Sequence, residues 1–270
     1  MRRPKSLLLL TSVALLLAAC AKSGAIKAPK IRGVEEIAQT YRLQDSDATK
    51  LRVQVRDLLG LAGQRLASND LSEAYKHASK AVRLDPSALD AYTLLGVIEG
   101  RRGNAAAAGE YYRQAAELGP QLGETLNNYG AWLCGNGHPA EALVWFDRAL
   151  AAPGYQQAAA ALANAGGCAL RSGQVERAGE SLRQALELEP ANAYALANMA
   201  QLQFDQGQYL SARAFNQRRL AAAPADESVL QLAVRIENGL GDRVAASRYQ
   251  QRLREQFPEA VTANSGEDRQ

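Results

Sequence analysis

The chain has 270 residues, 22% of them charged, with 31 Lys and Arg against 28 Asp and Glu. Arg2, Arg3 and Lys5 account for the whole net charge of +3, and no acid precedes Cys20, so the signs balance beyond it and nothing supports the clustered basic surface that a nucleic-acid binder needs. Only two histidines are present, neither sits in a cluster of metal-ligating residues, and no phosphate loop, Gly-x-Ser-x-Gly or Cys-x-x-Cys occurs, so no catalytic residue, metal, cofactor or small-molecule substrate is expected.

Residues 1–19 read as a leader. A basic start is followed by an apolar run from Leu7 to Ala19, 13 residues long and too short to span a bilayer. The run ends in Leu17-Ala18-Ala19-Cys20, which resembles the lipobox of bacterial lipoproteins. That resemblance implies cleavage before Cys20 and acylation of its thiol and new amine. Each buried acyl methylene contributes ~0.8 kcal/mol, so two or three chains make a durable anchor. Ala21, where a sorting Asp would retain the protein at the inner membrane, points to the outer membrane.

Residues 20–47 form the lipidated N-terminus and a tether, with Lys22, Lys27, Lys30 and Arg32 placed around Gly24 and Pro29. Val34, Ile37, Ala38 and Tyr41 recur at helical spacing and predict a short amphipathic helix before the main domain.

From residue 48 to 260 the sequence repeats. Pro86, Pro120, Pro190, Pro224 and Pro258 stand 34, 70, 34 and 34 residues apart. A 34-residue period in an alanine-rich chain is that of the tetratricopeptide helix–turn–helix unit. Six units fit, over 55–88, 89–122, 123–158, 159–192, 193–226 and 227–260. The twentieth position, where paired helices cross, is Ala74, Ala108, Ala142, Ala178, Ala212 and Ala246. The eighth, opposite it, is Ala62, Gly96, Gly130, Gly166, Ala200 and Val234. The fifteenth is Asn69 or Gly103, Gly137, Gly173, Gly207 and Gly241, residues that tolerate the left-handed turn ending a first helix. Larger residues Tyr112, Phe146 and Leu182 hold the twenty-fourth position, and Trp132 and Trp145 belong to the same packing. The expected fold is all-α, a right-handed superhelical solenoid. In the last two units Asn216, Arg219 and Gln250 break the pattern, and their second helices are expected to be rotated or more exposed, as terminal repeats often are. Residues 261–270 are polar and expected to be disordered.

Two irregularities stand out. The third and fourth units start 36 residues apart, which places two extra residues near Gly154-Tyr155-Gln156-Gln157. Cys134 and Cys168, in neighbouring first helices, then fall two register positions apart. An oxidising compartment permits a bridge, but the spacing alone does not show whether their Cα atoms come into bonding range. Two small buried apolar residues are the expectation.

Such an array is a scaffold for partners. The first helix of each unit lines the concave face. In the first unit Leu59, Gly63 and Leu66 make an apolar strip with a gap in its middle, suited to an extended or helical segment; the Val34–Tyr41 segment is the competing occupant. At the sixth position Asn128, Asn164 and Asn198 form a ladder of carboxamides, which either bond a peptide backbone or bond within the array.

The run Leu126-Asn127-Asn128-Tyr129-Gly130, the closing stretch from Asp242 to Pro258, the six repeats and the lipobox together resemble the PilF/PilW family of type IV pilus pilotins over about residues 45–260. The extra residues near Gly154 recur in that pattern. The resemblance implies an outer-membrane lipoprotein facing the periplasm that carries subunits of the secretin PilQ and promotes their multimerisation, for pilus biogenesis and twitching. Only Cys20 transfers from the family as a functional residue. The alternatives are a periplasmic adaptor for cell-wall synthases or proteases and an accessory of outer-membrane barrel assembly.

Overall fold

The computed structural model describes residues 46–259. The leader, Cys20, the tether, the Val34–Tyr41 segment and residues 261–270 lie outside the described residues. Within them the chain forms twelve α-helices and no strand. The helices pair as six units: α1 (Asp47–Ala67) with α2 (Leu71–Leu84), α3 (Leu89–Arg101) with α4 (Ala105–Leu118), and α5 (Gly123–Gly135) with α6 (Pro139–Leu150). Then come α7 (Ala158–Arg171) with α8 (Val175–Leu188), α9 (Ala193–Asp205) with α10 (Tyr209–Ala222), and α11 (Glu227–Gly239) with α12 (Arg243–Gln256).

The local signals act where the period places them. Asn69 and the five glycines at the fifteenth position all have positive φ, from 59° at Asn69 to 88° at Gly137. Each lets the first helix end and the second start after a turn of about three residues. Side chains of Ser46, Asp70, Asn192, Asp226 and Asp242 accept from backbone N–H groups three residues on, satisfying donors the helix leaves open.

All six alanines of the twentieth position are buried. The small eighth position is needed for a stated reason. A Cβ on Gly96 would lie 2.9 Å from the Tyr112 ring, on Gly130 2.9 Å from Phe146, and on Gly166 2.6 Å from Leu182. Each glycine therefore houses the large twenty-fourth residue of its own unit. Trp132 and Trp145 pack against the central cluster that includes Tyr129, Phe146 and Leu143.

Three features differ from the sequence reading, and a fourth agrees with it. First, α1 begins at Asp47, two turns before the first unit's nominal start, because Ser46 caps it and helix-compatible residues fill the turns between. Second, Cys134 and Cys168 form a disulfide across α5 and α7, with Cα atoms 5.9 Å apart. Here the twelfth residue of one first helix meets the tenth of the next, so a difference in repeat position does not keep the two thiols apart. Third, α10 is not rotated. Asn216 and Arg219 keep the twenty-fourth and twenty-seventh positions and are buried there, with Ala212. Arg219 is accommodated because it donates to the carbonyls of Ala223 and Pro224, each at 3.1 Å, and to Asp226 at 2.8 Å. The exposed second helix is α12, where only Ala246 is buried. Fourth, the two extra residues form part of the longer α6–α7 connection. It turns at Gly154, φ +69°, and lays Tyr155 on the bare backbone of Gly123. Burial first, then Glu124, pushes the Tyr155 hydroxyl up to about 12.

Candidate functional site

The first helices of the array supply the candidate partner face. In unit 1, Val55, Leu58 and Ala62 turn into the core and leave Leu59, Gly63 and Leu66 together on an adjoining face of α1. Leu59 packs against the cluster of Val55, Leu58, Ala81 and Ala91, and Leu66 against that of Ala62, Leu95 and Ile98. Both are half-buried, and a Cβ placed on Gly63 meets nothing within 4 Å. The strip with a central gap is therefore present in three dimensions. Its upper end opens into a groove of about 320 Å³, floored by Val55, Leu59 and Ala88 and edged by Arg52, Arg56, Asp85 and Asp90. Ser87 donates its hydroxyl (2.6 Å) and backbone N–H (2.9 Å) to Asp85. These bonds hold that carboxyl below its ordinary range, so the groove edge keeps both signs of charge at neutral pH. An apolar floor with charged edges suits an amphipathic segment.

The carboxamide ladder is not a row of three free groups. Asn164 donates to the Asn127 carbonyl oxygen across the α5–α7 boundary at 3.1 Å. Asn198 donates to the Tyr194 carbonyl one turn back in its own helix at 2.8 Å. Asn128 is half-buried and, among the described residues, its carboxamide has no hydrogen-bond partner. Asn127, overlooked in the sequence, is the buried partner. It stands at the fifth position of its unit and Asn164 at the sixth of the next, so equal numbering does not reveal the pair. The ladder residues lie on units 3 to 5, away from the strip on unit 1.

Asn198 does line a second depression of about 550 Å³, with Tyr194, Gln201, Arg219, Asp226 and Leu232 among its walls. Tyr194 reaches it by crossing the bare backbone of Gly167, where a Cβ would sit 2.5 Å from the Tyr194 hydroxyl. Burial opposes ionisation of Asp226, yet Ser228, the Val229 N–H and Arg219 together hold its carboxyl below the ordinary range. No group of three or more metal-ligating side chains is assembled among the described residues.

Models of the tetratricopeptide repeat match residues 59–122 and 169–236. The type IV pilus assembly protein PilF of Pseudomonas aeruginosa is 26% identical over 179 residues, 66% of this chain and 71% of that protein. Among solved structures, PilW, described as a widely conserved type IV pilus biogenesis factor, is 29% identical. It superposes with a TM-score of 0.70 over 76% of this chain and 94% of its own. The structure of Pseudomonas aeruginosa PilF, 22% identical, shares the fold at a TM-score of 0.71 over 82% of this chain and 100% of its own. By its six repeats, its alanine-lined helix crossings and these relatives, the chain is a PilF/PilW-like tetratricopeptide-repeat protein, similar to the type IV pilus biogenesis factors.

Proposed function

We propose that this chain is an outer-membrane lipoprotein pilotin, which binds the secretin PilQ and promotes its placement and multimerisation for pilus biogenesis and twitching. The observation that carries the reading is the likeness to PilW across 94% of that chain, with the lipobox of Cys20 ahead of the repeats. The mechanism is physical. The acyl chains on Cys20 fix the protein to the membrane, and the Leu59–Gly63–Leu66 strip holds an apolar segment of the client. Co-localisation then replaces a bimolecular search with a local one, raising the effective concentration of subunits.

The test is a deletion strain complemented with variants. Loss of twitching and of heat-resistant secretin multimers supports the reading. Intact multimers with a cell-shape or protease phenotype would identify an adaptor instead. Cys20→Ala is expected to mislocalise both protein and secretin. Leu59→Asp, with the helix content retained, is expected to lower client capture by about tenfold or more, because a carboxylate then lies in the apolar floor. Capture unchanged in both Leu59→Asp and Leu66→Asp removes this strip as the site.

A further inference from the structure

The boundary between the second and third units is closed by an aromatic residue. Gly109 of α4 has no side chain, and the Trp132 indole of α5 fills its place; a Cβ there would lie 2.2 Å from the ring. The indole stacks on Tyr129 with ring centroids 6.0 Å apart. Its N–H donates to the Ala105 carbonyl at 3.1 Å. Behind Tyr129 stands Trp145, edge-on at 4.7 Å, and Arg148 covers Trp145 at 4.2 Å.

Two units later the same construction recurs without its tryptophan. Gly179 of α8 stands where Gly109 stands, and Leu202 of α9 where Trp132 stands. A Cβ on Gly179 meets only Leu202, at an ordinary 3.6 Å. The rest of the setting is retained in kind. Met199 replaces Tyr129, Phe215 replaces Trp145, and Arg218 covers Phe215 at 5.5 Å as Arg148 covers its ring. Arg183 and Glu187 repeat Arg113 and Glu117, and Val175 holds the place of Ala105. At other boundaries a side chain on the second helix occupies this position: Tyr75, Leu143 and Arg213. Between α8, α9 and α10 there is instead a groove of about 540 Å³ whose walls include Leu186, Met199, Leu202 and Phe215.

We infer that this groove is a binding site for a tryptophan side chain presented by a partner polypeptide. The molecule itself shows what ring fills such a space. The indole would lie on Gly179 and against the Met199 thioether, a favourable sulfur–aromatic contact, with its N–H directed to the Val175 carbonyl. Gln203 and Gln206 at the mouth are placed to meet the backbone on either side of the inserted residue. The occupant is not a second copy of this chain, whose two tryptophans, Trp132 and Trp145, are both engaged in their own core.

The chain has two methionines, Met1 and Met199, so a ¹³C-methyl-methionine label places one reporter in the groove. The probe is a capped pentapeptide, Ala-Ala-Trp-Ala-Ala, titrated into the full chain, with the all-alanine peptide as control. One indole supports a Kd on the order of 1 mM, and its ring current should move the Met199 methyl signal upfield, saturably. Leu202→Trp fills the space from within, as Trp132 does against Gly109, and Gly179→Leu fills it from α8. Both are expected to weaken binding by about tenfold or more while retaining helix content. If Gly179→Leu does not fold, Leu202→Trp decides alone. No saturable shift in the unmodified chain, an equal shift with the all-alanine peptide, or unchanged affinity in the folded Leu202→Trp variant overturns the assignment.

Discussion

Asn216 shows how a single residue can depart from a repeat while its position does not. It occupies the place of Tyr112, Phe146 and Leu182, is buried, and leaves its side-chain Oδ1 without a partner among the described residues. A buried acceptor left unpaired costs about 1–3 kcal/mol. Leucine already serves this position against Gly166. Asn216→Leu is therefore expected to raise stability by roughly 1–2 kcal/mol, seen as a higher urea midpoint at unchanged slope. Asp226 acts in the opposite sense. It caps α11 through the Val229 N–H at 3.0 Å and pairs with the buried Arg219. Its folded-state affinity for protons is lowered, so its contribution is complete above the unfolded carboxyl range near ~3.9 and fades as pH falls through the lower folded value. Asp226→Ala should cost about 1 kcal/mol at pH 7 from the lost cap alone. The gap in melting temperature between the two proteins should hold down to about pH 5 and narrow below ~3.9; a gap that stays constant to pH 2.5 would contradict this account.

At the scale of the element, the legible parts are those where backbone geometry admits few residues. Positive φ requires Asn or Gly at the fifteenth position, and crossing helices require Ala at the twentieth, so both could be read from the chain alone. What could not be read depends on how neighbouring units are offset. Packing across the boundary between the third and fourth units joins Cys134 to Cys168, a twelfth position to a tenth, and Asn127 to Asn164, a fifth to a sixth, so neither pair shares a repeat position. The same packing engages Asn164 of the three-asparagine ladder, while Asn198 bonds within its own helix. The burial of Arg219 was equally hidden, since its acceptors, Ala223, Pro224 and Asp226, lie in the following turn. The strip of Leu59, Gly63 and Leu66 was legible because i, i+4 and i+7 share a helix face by geometry alone. The disulfide staples α5 to α7 across 34 residues of sequence. Closing a loop of that length in the unfolded chain corresponds to about 3–4 kcal/mol in the chain-entropy model. Replacing both cysteines by serine should lower the unfolding free energy by that order, and reductant should destabilise the unmodified chain but not the double variant.

At the scale of the whole molecule, stability in a stacked array is close to a sum of units and the interfaces between neighbours. Hydrogen exchange should therefore be graded. The slowest amides are expected in α5 to α8, around the disulfide, and the fastest in α12, which buries one side chain. Uniform protection along the chain would contradict this picture. The interfaces are also unequal in kind. Arg101 donates to the Leu66 carbonyl and Arg102 to that of Leu71, tying the first unit to the second. Arg171 reaches the Cys134 carbonyl and Arg177 reaches Asp147, tying the third to the fourth beside the disulfide. Arg213 grips Glu237 and Asp242, tying the fifth to the sixth. Between these pairs, the second and third units share the Trp132 bond to Ala105, and the fourth and fifth share the Arg218 bond to Pro190. Arginine side chains thus join the units chiefly in pairs, and the two boundaries between those pairs are the ones where an aromatic ring matters most. One is wedged by its own tryptophan; the other holds the groove beside Gly179. A ring inserted there would act as a brace, fixing the angle at which the fourth and fifth units stack.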